Sequence, residues 1–315
     1  MTTKHESSNK KKRKFRPGCI LLALMVITAL CGTVKPVKAQ QRASDLYARN
    51  NLIAWCIVPF DSKKRGPEER AQMMKKLGIT RFAYDWRDEH IPSFGEEIET
   101  MKKHNIKLQG WWLSSGLHPE QDKYLPLILD ALKKHNVKTE LWCMFWGGPE
   151  FDKLTQEEKI RTMAKPVAYV AKKLDEIGCK LGVYNHGGWF GVPENQLAVI
   201  EYLKMPNIGI VYNLHHAEED IDRFPTFFPK IKPYLLAFNI AGLKLGNPVK
   251  VVPVGEGDAE TEMMKLVWKS GYRGPVGILN EGTAPDAEVG LQMNMDGLKK
   301  VLTTIGDKKA LKTYR

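Results

Sequence analysis

The sequence predicts a single (β/α)8 barrel. Three observations predict it: eight short apolar or β-branched runs, an amphipathic stretch after each one, and a length that suits one barrel of roughly 250 residues. Strand–helix alternation implies parallel strands joined by right-handed crossovers. Eight such units favour closure over an open doubly wound sheet. The open alternative calls for a G-x-G-x-x-G turn after the first strand. Pro59-Phe60-Asp61-Ser62 stands there instead.

Taken in order, the strands are expected at 52–58, 81–86, 107–113, 139–145, 181–185, 208–214, 235–240 and 276–280. The helices between them are expected at 67–77, 94–104, 121–135, 156–177, 193–203, 218–231, 259–270 and 284–305. The first helix shows the chemistry most clearly. Pro67, Glu68 and Glu69 open it, Lys75 and Lys76 close it, and Gly78 follows. Acids at the first turn and bases at the last complement the helix dipole, and glycine ends it.

The start of the chain reads differently. Residues 10–16 are strongly basic, residues 19–31 form an apolar run too short to span a bilayer comfortably, and Val37-Lys38-Ala39 is cleavage-like. Residues 1–39 therefore read as a secretory signal peptide, with export to the periplasm expected. Removal leaves no stable membrane span. An uncleaved anchor and a lipoprotein signal at Cys31 are the weaker readings; Leu30 suits the second poorly. A linker is expected at 40–49, the barrel at 50–306 and a frayed tail at 307–315. Nine Lys or Arg and one Glu lie in residues 1–39, so the formal charge of +12 falls by 8 to +4 without them. That removes most of the basicity a nucleic-acid partner would require. Cys56, Cys143 and Cys179 remain, with no C-x-x-C pair, and read as buried thiols.

Chemistry in such a barrel sits at the C-terminal ends of the strands. Polar residues gather there. Strand two ends in Asp85-Trp86-Arg87, strand five in Asn185-His186 and strand six in Asn213-Leu214-His215-His216. Strand seven ends in Asn239-Ile240-Ala241-Gly242-Leu243-Lys244, and strand eight in Asn280-Glu281. Trp86, Trp112, Trp146 and Trp189 fall at or near the same ends. Indole faces stack on sugar C–H faces, and the ring N–H bonds a hydroxyl. Trp111 and Trp112 are adjacent, so only one of them faces the lumen. The nearest candidate for a phosphate loop, Gly255-Glu256-Gly257-Asp258, carries acids that repel an anion. A small carbohydrate is expected and a nucleotide cofactor is not.

The words Tyr184-Asn185-His186-Gly187-Gly188-Trp189, Asn213-Leu214-His215-His216, Asn239-Ile240-Ala241-Gly242, Gly255-Glu256-Gly257-Asp258 and Gly271-Tyr272-Arg273-Gly274-Pro275 carry a resemblance. On these words the chain resembles an exported bacterial branch of the xylose isomerase-like sugar isomerase and epimerase superfamily, across nearly the whole barrel. The resemblance implies a sugar isomerase, an epimerase, or a lyase on a 3-keto-sugar or 3-keto-glycoside. It also implies one divalent ion (Mn, Co, Zn or Mg) held by acids and His on strands five to eight. This chain offers His186, His216 and Glu281 for that role, with Asn185 and Asn213 where acids are usual and Asn239 where a His is usual. A hard cation prefers anionic oxygens, so these carboxamides bind sugar hydroxyls instead in the second reading.

Proton transfer beside a carbonyl needs a base and an electrophile. Glu281, His216 and His186 are the expected catalytic residues. Asp85, Trp86, Trp112, Trp146, Asn185, Trp189, Asn213, His215, Asn239 and Lys244 are the expected substrate contacts. Two alternatives stand beside this one: a catalytically silent sugar-binding barrel, and a glycoside hydrolase using Glu140 and Glu281. A retaining hydrolase needs its carboxyls about 5–5.5 Å apart.

Overall fold

The structure is a computed structural model that describes residues 45–315. The expected signal peptide and the first part of the expected linker lie outside the described residues.

Eight parallel strands close into a barrel. They are β1 Leu52–Trp55, β2 Arg81–Tyr84, β3 Lys107–Ser115, β4 Glu140–Phe145, β5 Lys180–Tyr184, β6 Ile208–Asn213, β7 Leu235–Ile240 and, after an antiparallel hairpin of β8 Gly242–Lys244 and β9 Lys250–Val252, β10 Val276–Leu279. β10 pairs with both β7 and β1 and so completes the ring. The long helices run Pro67–Leu77, Phe94–Lys103, Leu125–Lys134, Gln156–Asp175, Pro193–Leu203, Phe224–Ile231, Glu260–Lys269 and Ala287–Ile305. Among the described residues no helix is long and apolar enough to cross a membrane.

Alternation along the strands sorts the apolar residues into two cores. Ile53, Trp55, Ala83, Trp142, Tyr184, Val211, Ala237 and Leu279 pack inside the lumen. A larger cluster fills the layer between strands and helices, where Trp111 meets Tyr84 and Phe94 edge-on at 4.9 and 4.8 Å. Glycines make room for the lumen's largest ring. A Cβ on Gly110 of β3 would lie 2.6 Å from the Trp142 indole, and one on Gly182 of β5 would lie 3.2 Å from it. Trp142 therefore plugs the middle of the barrel and supports the upper layer.

Several boundaries differ from expectation for local reasons. β1 stops at Trp55 because Cys56 takes φ 54, a left-handed conformation that turns the chain out of the sheet. The sixth helix begins at Phe224, not 218. Asp220 instead accepts from the Tyr212 hydroxyl at 2.8 Å and from Arg223 Nε at 3.0 Å. The tail expected to fray is docked. Asp307 caps the helix Lys308–Leu311, and the buried Tyr314 hydroxyl donates to the Tyr47 carbonyl at 2.6 Å. Tyr47, expected in the linker, is itself buried and donates to the Met264 carbonyl at 2.7 Å. Both ends of the described chain thus belong to the barrel.

Candidate functional site

The C-terminal mouth holds a small cavity of about 80 Å³. Trp55 and Cys56 reach it from β1, and Phe60 from the loop that follows. Asp85 and Arg87 arrive from the end of β2, Trp112 from β3, and Tyr184 and His186 from β5. His216 follows β6 and Glu281 follows β10. A larger void of about 750 Å³ lies against Lys180, Ile208 and Leu235, at the opposite ends of the strands. Size does not select it, because the acids, imidazoles and inward-facing aromatics converge at the mouth.

Tyr184 forms the floor of this cavity. Its hydroxyl accepts from Trp55 Nε1 at 3.0 Å and from Asn213 Nδ2 at 2.5 Å. Burial raises the phenol well above its ordinary value, so it stays neutral. Above the floor, the His186 and His216 rings lie with centroids 4.2 Å apart, and Trp112 meets His186 at 5.9 Å. Burial first, then the neighbouring His186 and His215, lowers His216 to about 3. His216 is therefore a neutral imidazole near pH 7, able to accept a proton at one nitrogen and donate from the other. His215 is also lowered, chiefly by burial. It packs on His216 at 4.9 Å, behind the cavity wall.

The acids differ in their surroundings. Cys56 Sγ donates to Glu281 Oε2 at 3.5 Å. Burial, with Asp85 and Glu281 nearby, pushes the Cys56 thiol well up, so it remains a thiol. Asp85 is 2% exposed, and neither carboxyl oxygen has a hydrogen-bond partner among the described residues. Burial raises it to about 8, against the opposing pull of Arg87. Arg87 does not pair with that carboxyl by hydrogen bond. Its Nη1 donates to the Asp85 and Trp86 carbonyls at 2.9 and 2.8 Å, with the guanidinium 5.9 Å from the Phe60 ring centre.

The three asparagines are built into the wall. Asn185 Nδ2 donates to the Asn213 carbonyl at 3.0 Å, and its Oδ1 accepts from Asn213 N at 2.7 Å. This clamps β5 to β6. Asn213 Oδ1 accepts from His215 N at 3.0 Å, which fixes the turn carrying His216. Asn239 is fully buried near the Tyr184 hydroxyl, against Gly277, where a Cβ would lie 2.1 Å from its Oδ1.

Several expected contacts lie elsewhere. Trp86 faces the helices, against Phe94 and Tyr124 at 5.2 and 5.0 Å, because it shares strand parity with Tyr84. Trp146 is 57% exposed and lies outside the cavity lining. Trp189 packs on Phe151 at 5.4 Å and donates to Gln156 Oε1 at 2.8 Å. Lys244 is exposed at the end of the β8–β9 hairpin. Glu140 sits at the first residue of β4, about 16 Å of strand below Phe145 at 3.3 Å per residue. Trp142 Nε1 and Gln109 Nε2 each donate to it at 2.8 Å, and burial raises it to about 7. It does not line the cavity, so the hydrolase pair of Glu140 and Glu281 is not assembled. The sequence reading missed Trp55, Cys56, Phe60, Arg87 and Tyr184 as cavity residues. Strand alternation carries the signal for two of them: Trp55 shares parity with Ile53, and Tyr184 with Gly182.

The residues do not fit the divalent centre that the resemblance implies. Among the described residues, no three His, Cys, Asp or Glu side chains gather in a group able to hold a metal ion. Asn185 and Asn213 offer neutral amides already used by backbone and tyrosine partners, and Asn239 is sealed beneath the floor. Nor is there a vacant anion cradle in the glycine loop. The buried Glu260 already accepts from Leu243 N, Gly255 N and Gly257 N at 3.1, 3.1 and 3.0 Å.

The sequence matches no protein-family model and no curated protein. Solved structures do resemble it. The IolI protein, solved with a bound zinc atom, shares 14% identity over 80% of this chain and 98% of its own, with TM-score 0.61. The 3-keto-D-glucoside 4-epimerase YcjR from E. coli, in its apo form, shares 14% over 80% and 98%, with TM-score 0.60. A xylose isomerase-like TIM barrel protein from Mycobacterium smegmatis, in complex with magnesium, shares 13% over 80% and 97%, with TM-score 0.54. The chain thus has the fold of the xylose isomerase-like TIM barrels.

Proposed function

We propose that this chain is a carbohydrate-active enzyme of the sugar isomerase and epimerase type, which moves a proton next to a sugar carbonyl. The observation that carries the proposal is the convergence of Glu281, His186 and His216 on one cavity walled by Trp112 and Trp55. The 3-keto-glucoside epimerase among the structural neighbours supports the same substrate class.

Isomerisation, epimerisation and elimination from a 3-keto-glycoside share one first step. Glu281 takes the proton from the carbon beside the carbonyl. The C–H electron pair becomes the C=C of the enediolate, and the carbonyl π pair moves onto oxygen. Neutral His216 relays a proton between the two enediolate oxygens, with His186 beside it. Trp112 offers an indole face to the sugar ring. The cavity is small, at about 80 Å³, and opens to the barrel mouth. It therefore takes the carbonyl end of a sugar, with the remainder in the open mouth.

The test is to incubate the purified protein in D2O with 3-keto-glycosides and with the parent glycosides, following deuterium entry by NMR. Deuterium at the carbon next to the ketone is expected, and its loss in Glu281→Gln. Release of ordinary glycosides without exchange would favour a hydrolase. Binding without exchange would favour a silent sugar-binding barrel. We also propose export to the periplasm from the basic and apolar start at 1–39; cell fractionation that left the protein in the cytosol would contradict it.

A further inference from the structure

A base explains half of a proton transfer beside a carbonyl. The oxygen that gains charge also needs a partner, and a Lewis-acid ion is one common solution. The strand-end residues of this barrel do not suit such an ion. We infer that the Asp85 carboxyl and the Arg87 guanidinium supply the electrophilic side of the cavity, contacting the substrate oxygen that becomes charged. The inference rests on the proton-transfer reading and names the groups that complete it.

The geometry carries it. Asp85 and Arg87 stand two residues apart past β2, on the inward parity set by Ala83, and both line the cavity that Glu281 lines. Asp85 is buried, and among the described residues no other residue donates a hydrogen bond to either of its carboxyl oxygens. A carboxyl in that setting keeps its proton and offers an O–H. Burial raises it accordingly, with Arg87 and Arg70 opposing and Glu281 reinforcing. Arg87 is anchored through Nη1 alone, to the carbonyls of residues 85 and 86. Its Nη2 and Nε make no hydrogen bond to the described residues. One anchored end and one free end place a fixed positive charge at the cavity wall.

The step balances without an added reactant. Glu281 gains the carbon-bound proton. The carbonyl π pair moves to oxygen, which takes the proton held by Asp85. The resulting Asp85 carboxylate is offset by Arg87. Return of the proton from Glu281 to the same carbon, with the enol proton passing back to Asp85, restores the starting sugar. Its delivery to the former carbonyl carbon, with the other enediol oxygen's proton relayed through His216 back to Asp85, gives the isomer.

The experiment compares wild type with Asp85→Leu, Asp85→Asn and Arg87→Met. Each is assayed for deuterium entry into a methyl 3-keto-glucoside, before and after EDTA treatment and with Mn2+ added. Binding of a sugar hydroxamate, an enediolate mimic, is read in parallel from tryptophan fluorescence. Circular dichroism confirms folding. Asp85→Leu and Arg87→Met should each lower kcat by about 10²–10³-fold, as loss of one donor to a developing oxyanion does. KM should move by less than about threefold, since the contact forms in the transition state. Both variants should also bind the hydroxamate more weakly. Asp85→Asn keeps a hydrogen-bond donor but has no proton to transfer, so it should bind the hydroxamate better than Asp85→Leu and recover only part of the rate. EDTA should leave the wild-type rate unchanged. Wild-type kcat and hydroxamate affinity in Asp85→Leu and Arg87→Met would overturn the inference alone, as would a rate lost to EDTA and restored by Mn2+. No deuterium entry and no hydroxamate binding in wild type would overturn the proton-transfer reading along with it.

Discussion

Replacing Asp85 with asparagine should flatten the pH dependence of stability. Burial raises this carboxyl from 3.8 to about 8. Between those values the folded chain holds a proton that the unfolded chain has released. Where the folded state binds more protons, stability falls as pH rises. One proton is worth about 1.36 kcal/mol per pH unit, so the wild type loses about 2.7 kcal/mol between pH 5 and pH 7 from this group. Above about pH 8 both states are ionised and the loss levels off. Asparagine has nearly the same shape and does not titrate. Urea unfolding of both proteins at a series of pH values isolates the effect, because all other groups cancel in the difference. The gap should widen in favour of Asp85→Asn by about 2.7 kcal/mol from pH 5 to pH 7. Parallel curves would show that Asp85 ionises freely in the folded chain, and the account of its burial would be wrong.

Glu281→Gln should lower kcat for deuterium exchange by about 10³-fold while far-ultraviolet circular dichroism stays unchanged, since it removes the base and keeps the shape; a wild-type rate would move the base elsewhere. Trp112→Ala should weaken sugar binding by about tenfold through loss of its stacking face. Trp146→Ala, at an exposed position outside the cavity, should leave binding unchanged, and the reverse pattern in a fluorescence titration would relocate the sugar. Gly277→Ala should destabilise the barrel by about 1–3 kcal/mol, because its Cβ would lie 2.1 Å from Asn239 Oδ1; an unchanged Tm would mean Asn239 has room to move. Arg70→Met should cost about 3–5 kcal/mol in urea unfolding by leaving buried Glu97 without its ion pair.

Periodicity made the barrel legible, because strand and helix periods are set by backbone geometry alone. It made part of the site legible too. His186, His216 and Glu281 follow directly after strands, so strand order brings them to one mouth. Parity also holds information that the sequence reading left unused. Tyr84 and Trp86 share the outer face of β2, while Asp85 and Arg87 share the inner one. Trp146 and Trp189 lie beyond the regular strands, where alternation no longer says which way a side chain points, and Lys244 lies in the β8–β9 hairpin, outside the barrel ring. Cys56 reaches the cavity through a left-handed turn that no residue pattern announces. The asparagines were legible as a set but not in their role. Whether an amide faces a ligand or a neighbouring strand depends on partners up to 29 residues away, as Asn213 and Tyr184 show.

The account depends most on where a sugar binds. A crystal structure of Glu281→Gln soaked with a 3-keto-glycoside decides it, since the variant removes the base and leaves the cavity intact. The account predicts density at the C-terminal mouth, with the carbonyl oxygen between Asp85 and Arg87, the adjacent carbon facing residue 281 and the ring on Trp112. Density in the larger void beside Lys180 and Leu235, with an empty mouth, would contradict it.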